Sequence, residues 1–117
     1  MNIAIIGFGK MGQTIEQIAK ERNHHIAAIF DLDNPLSVDK LNGVDVAIEF
    51  SLPKSAVKNI KICSDAGVPV VVGTTGWYDH YEGVKETVLN SDGALLAATN
   101  FSLGVNITFY MNEILAK

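Results

Sequence analysis

Three glycines open the chain's chemistry. "GFGKMG" sets Gly7, Gly9 and Gly12 in a G-x-G-x-x-G spacing. The motif follows a short apolar β-rich run, "NIAIIGF", and leads into "KMGQTIEQIAKER", whose Met11, Ile15, Ile18 and Ala19 recur at helical spacing. In that context each glycine has a use: a tight turn at Gly7, room for a pyrophosphate at Gly9, and close helix–strand packing at Gly12. The helix start then offers unpaired N–H groups and a partial positive charge to phosphate oxygens. Asp31 closes a second apolar run 19 residues past Gly12, where a carboxylate accepts from an adenosine ribose. A carboxylate there repels a 2′-phosphate, and Leu32 and Asp33 bring no Arg, so NADH is expected over NADPH. Lys40 is the nearest downstream cation, and it weakens that preference if its loop folds back.

Further strand ends carry small polar or aromatic groups: Phe50-Ser51, Gly73-Thr74-Thr75-Gly76 and Thr99-Asn100-Phe101-Ser102. Such a set suits the wall of a pocket for a flat polar ring. Ser51 reads equally well as a helix cap and Phe101 as core.

These residues need a frame, and the pattern supplies one. Near-continuous apolar strands, "NIAII", "HHIAAIF", "VDVAIEF", "PVVVG" and "ALLAAT", alternate with helical segments. Strands apolar on both faces belong to parallel sheets covered by crossover helices. The expected fold is therefore an α/β Rossmann-type, doubly wound parallel sheet with helices on both faces, in strand order 3-2-1-4-5. "LPKSAVKNIKICSDAG" reads as a helix with Pro53 in its first turn and Gly67 past its end. "DHYEGVKETVLNSDG" reads as another, with Asp79 and Glu82 as a capping box. A last helix, "ITFYMNEILAK", presents Ile107, Met111, Ile114 and Leu115 on one face and calls for a partner. The expected organisation is a dinucleotide-binding domain over 1–104 and, over 105–117, the start of a hinge helix leading to a second, substrate domain outside this chain.

Composition narrows the class. Of 117 residues, 48% are hydrophobic and 19% charged, with formal charge −4. Clustered Lys and Arg are missing, which argues against a nucleic-acid or anionic-membrane surface. No apolar stretch approaches the ~20 residues of a membrane span, and no basic leader precedes the first strand. The single cysteine, Cys63, lies in an apolar helical pattern and reads as a buried core thiol in a reducing, cytoplasmic setting.

Taken together and in order, "GFGKMG", "EFSLP", "VVVGTTGW" and "ATNFSLGVN" closely resemble the N-terminal domain of the 4-hydroxy-tetrahydrodipicolinate (dihydrodipicolinate) reductases of the diaminopimelate route to lysine. The resemblance covers essentially the whole chain. It implies an NAD(P)H-dependent oxidoreductase acting on a cyclic imine/enamine dicarboxylate. The nucleotide would lie along Gly7, Phe8, Gly9, Lys10, Met11 and Gly12. Asp31 would hold the ribose. Gly73, Thr74 and Thr75, with Ala98, Thr99, Asn100 and Phe101, would line the nicotinamide side. Family members are homotetramers joined through the C-terminal domain. The family's His-His…Lys…Pro-Ser-Gly-Thr catalytic motif is not matched here: His24-His25 open a strand, so no catalytic residue is assigned to this chain and no metal is expected. The isolated chain is expected to bind dinucleotide without turning substrate over. Two other readings remain: a stand-alone NAD(H)-sensing module, and the cofactor domain of another two-domain amino-acid dehydrogenase.

Overall fold

A computed structural model describes residues 1–74, 78–90 and 94–97. Five parallel strands, β1 (Asn2–Ile6), β2 (His25–Phe30), β3 (Val46–Glu49), β4 (Val70–Val72) and β5 (Leu95–Ala97), form one sheet. Between them run α1 (Lys10–Glu21), α2 (Pro53–Asp65) and α3 (Tyr81–Leu89).

Side-chain alternation along the strands divides the core in two. Ile3 and Ile5 of β1, Val46 and Ile48 of β3 and Val71 of β4 face α1, where Ile15 and Ala19 meet them. Ala4, Ile6, Ala47, Val70 and Val72 face the opposite way, onto Ala56, Ile60 and Cys63 of α2 and Val84 and Val88 of α3. Helices on both faces explain why these strands are apolar throughout. Met11, expected on the buried face of α1, is instead exposed. It sits in the first turn of α1.

The strand order differs from the expected 3-2-1-4-5: it is β2-β1-β3-β4-β5. β3 pairs with β1 through Ile3↔Val46 to Ile6↔Glu49, not with β2. Burial explains the choice. All four β3 residues are fully buried, which an edge position beside β2 does not provide, whereas β2 alternates with exposed residues and tolerates the edge. The link between β2 and β3 contains only a 3-10 turn, Asp39–Leu41, and crosses beneath β1 to its far side. The order therefore reverses between β1 and β3, which places the crevice of an open α/β sheet at their carboxyl ends.

Pro53 opens α2, and Gly67 follows it at φ +70°. The capping box does not form. Asp79 lies in a 3-10 turn, Tyr78–His80, and α3 begins at Tyr81 without a side-chain cap. The expected helix at 107–117 lies outside the described residues.

Candidate functional site

The carboxyl ends of four neighbouring strands are laced in a row. The Gly7 N–H donates to Phe30 O (2.8 Å), the Phe50 N–H to Ile6 O (2.7 Å) and the Gly73 N–H to Glu49 O (2.9 Å). Asp31, Gly7, Phe50-Ser51 and Gly73-Thr74 thus stand side by side along about 14 Å of sheet edge at ~4.8 Å per strand. Four separate sequence segments form one continuous rim.

The β1–α1 turn has the shape of a phosphate cradle. Gly7 has φ +92°, and a Cβ there would fall 2.0 Å from Phe50 O, so both conformation and contact demand glycine. A Cβ on Gly12 would fall 2.3 Å from Gly7 O, because α1 packs against its own preceding turn. Gly9 is the opposite case: among the described residues nothing lies within 4 Å of its would-be Cβ. Gly9 is also the N-cap of α1, with no side-chain cap bond and no acidic residue in the first turn. The first N–H groups of the helix at Lys10, Met11 and Gly12 have no intrahelical acceptor by construction. Open space over unclaimed donors fits a pyrophosphate. Phe8 is half-buried against the α1-side core, and Lys10 is exposed.

Asp31 is exposed just past β2. Its Oδ1 accepts from the N–H groups of Asp33 and Asn34, both at 2.9 Å. This Asx turn fixes the carboxylate and leaves Oδ2 for a ribose hydroxyl. The loop does fold back. Lys40 Nζ donates to Asn34 Oδ1 (3.0 Å) and Pro35 O (3.1 Å), one turn from Asp31.

At the β3–β4 end a residue missed by sequence reasoning dominates. Glu49 is completely buried on the α2 side of the sheet. Its Oε2 accepts from Ser51 Oγ (2.5 Å) and Asn59 Nδ2 (2.6 Å). Its Oε1 accepts from the Ser51 N–H (3.1 Å) and from the Thr74 hydroxyl. Thr74 Oγ1 in turn accepts the Ser51 N–H (2.8 Å), and Ser51 Oγ accepts from Asn59 (3.2 Å). Ser51 and Thr74 therefore turn their hydroxyls inward, and Ser51 does not cap α2, whose N-cap is Leu52. Phe50 lays its ring over Gly73, 2.2 Å from where a Cβ would stand, so a side chain there would have to displace the ring. The signal for Glu49 was present in the sequence: a lone carboxylate inside "VAIEF" must find partners if its strand is central.

Cys63 lies fully buried in α2. Burial and, second, the Glu49 charge push its thiol up to about 12, which makes it inert as a nucleophile. His24 and His25 sit at the start of β2, at the end of the sheet opposite the rim. His24 Nδ1 lies 3.4 Å from the Met1 amino group. Its pKa is lowered by burial, then by that amino group, then by Arg22. Among the described residues no cluster of three or more metal-ligating side chains occurs, and no helix is long and apolar enough to cross a membrane. Thr75, Ala98, Thr99, Asn100 and Phe101 lie outside the described residues.

Comparison with known proteins adds the context for this rim. A homoserine dehydrogenase from a hyperthermophilic archaeon, solved with NADPH, superposes with a TM-score of 0.64 at 16% identity, over 82% of this chain and 43% of its own. An aspartate dehydrogenase from Thermotoga maritima gives 0.63 at 15%, over 83% and 45%. At such identities the likeness is one of fold. The chain is 51% identical over 118 residues to the 4-hydroxy-tetrahydrodipicolinate reductase of Christiangramia forsetii, covering 99% of this chain and 48% of that protein. It thus spans about half the length of the curated relatives it matches. The family model described as dihydrodipicolinate reductase, N-terminus, matches residues 1–101, and the chain belongs to that family.

Proposed function

We propose that the chain is the dinucleotide-binding half of a 4-hydroxy-tetrahydrodipicolinate reductase, an NAD(P)H-dependent oxidoreductase of diaminopimelate and lysine biosynthesis. One observation carries the reading: the open space at Gly9, over the uncapped start of α1 and beside the β1/β3 crevice. The α1 N–H groups bind the pyrophosphate, Asp31 Oδ2 orients the ribose, and the Phe50–Gly73 wall with Thr75 and Ala98 to Phe101 receives the nicotinamide. A bound nicotinamide supplies the hydride for the cyclic imine/enamine substrate. This chain's residues position the ring and exclude water from one side. The proton donor and the dicarboxylate-binding groups belong to the C-terminal half, where the homotetramer also assembles, in the cytoplasm.

The finer preference is NADH over NADPH, from the Asp31 charge. A fluorescence titration tests it. NADH binds tighter by about tenfold, the order of one like-charge contact in partly screened surroundings. Tighter NADPH binding overturns the assignment. Lys40→Ala lowers NADPH affinity while leaving NADH within about twofold, because its folded-back ammonium offers charge to a 2′-phosphate only.

A further inference from the structure

We propose that Glu49 is the positioning residue of the nicotinamide side: a buried carboxylate that fastens the β3 and β4 ends to α2 and so presets the half of the rim that receives the ring. This rests on the dinucleotide reading above. The geometry supports it in three ways. The four donors to Glu49 come from three different segments: Ser51 after β3, Thr74 after β4 and Asn59 in α2. Thr74 and Ser51 are also bonded to each other, so the two loops share a single hydrogen-bonded unit. No ion pair reaches Glu49 among the described residues, so neutral donors alone satisfy the carboxylate. Such a fully buried acceptor is costly unless it is hydrogen-bonded, which ties the three segments to one another.

The adenosine end has different supports. Gly7 to Gly12 and the Asp31 turn make no hydrogen bond to this cluster. Gly7 meets the cluster only by packing on the Phe50–Ser51 backbone, which the Ile6 carbonyl also holds, so loss of Glu49 acts mainly on the nicotinamide end. In Glu49→Gln, whichever way the amide turns, its NH2 confronts one N–H group that can only donate, and one hydroxyl that must reverse its bond to accept.

The test measures the affinity of the 117-residue chain for NADH and for ADP-ribose, which keeps the adenosine and pyrophosphate but has no nicotinamide. In Glu49→Gln the NADH dissociation constant rises about tenfold or more, the factor carried by one hydrogen bond to a charged group, while ADP-ribose stays within about twofold. Asn59→Leu removes one donor to Glu49, and with it a longer bond to Ser51 Oγ, without substituting a residue of either loop. It gives a smaller loss, about three- to fivefold, confined to NADH. This second variant stands even where Glu49→Gln does not fold. Parallel loss of both ligands in either folded variant, or no loss of NADH, overturns the proposal. A wild-type chain that binds neither ligand overturns the dinucleotide reading itself.

Discussion

Cys63 shows how a single group's surroundings set a measurable property of the whole chain. Its thiol is held at about 12 in the folded state against an ordinary 9.0. The unfolded chain releases this proton first as pH rises, so the stabilisation is complete below pH 9 and is lost progressively up to pH 12. The loss is about 2 kcal/mol between pH 9 and 10.5, at ~1.36 kcal/mol per unit. Urea unfolding of the wild type and of Cys63→Ala at several pH values checks this. The cavity lowers the variant's stability at every pH, but the cysteine-dependent part of the slope above pH 9 disappears. Iodoacetamide leaves the native thiol unmodified at pH 8. Glu49 is the second residue whose environment defines it. Among the largest fully buried side chains it is the charged one, and it stands at the rim rather than in the body of the core.

At the scale of the element, the β1–α1 turn separates binding from folding. Gly12 and Gly9 look alike in the sequence motif, yet their surroundings differ. Gly12→Ala drives a Cβ to 2.3 Å from a backbone oxygen that cannot swing away. It destabilises the fold by about 3 kcal/mol, the upper end for overpacking. Gly9→Ala enters open space, and as an N-cap change it costs within about 1 kcal/mol. It nevertheless weakens NADH binding by at least about tenfold, because the methyl occupies the approach of the pyrophosphate. Thermal unfolding and NADH titration of the two variants separate the effects. Equal binding losses at equal stability contradict the distinction.

At the scale of the molecule, the sheet edge gathers one flank of a cleft. Asp31, the glycine turn, Phe50-Ser51 and Gly73-Thr74 line up because parallel strands all end on the same side. The chain also spans about half the length of its reductase relatives. On the proposed reading, the isolated chain binds NADH and shows no measurable substrate-dependent NADH oxidation. A protein joining it to the C-terminal half of a relative restores turnover, followed by absorbance. Turnover by the isolated chain at the rate of that joined protein overturns the division of labour.

Much of this was legible in sequence order alone. Continuous apolar strands alternating with amphipathic helices required a parallel sheet covered on both faces, and the glycine spacing in that frame required a tight turn into α1. These follow from local periodicity and backbone sterics, which act over a few residues. Strand order did not follow, because it depends on which strand needs two neighbours: the burial of Val46–Glu49 against the half-exposure of His25–Phe30 put β3 beside β1. Nor did the partners of Glu49, since Ser51, Asn59 and Thr74 come together only once three segments pack. Sequence by itself determined the elements and the glycine turn at which the proposed phosphate site stands. Tertiary structure decided the order of the strands and the inward turn of Ser51 and Thr74, because a buried strand and a buried carboxylate must both be satisfied by residues distant along the chain.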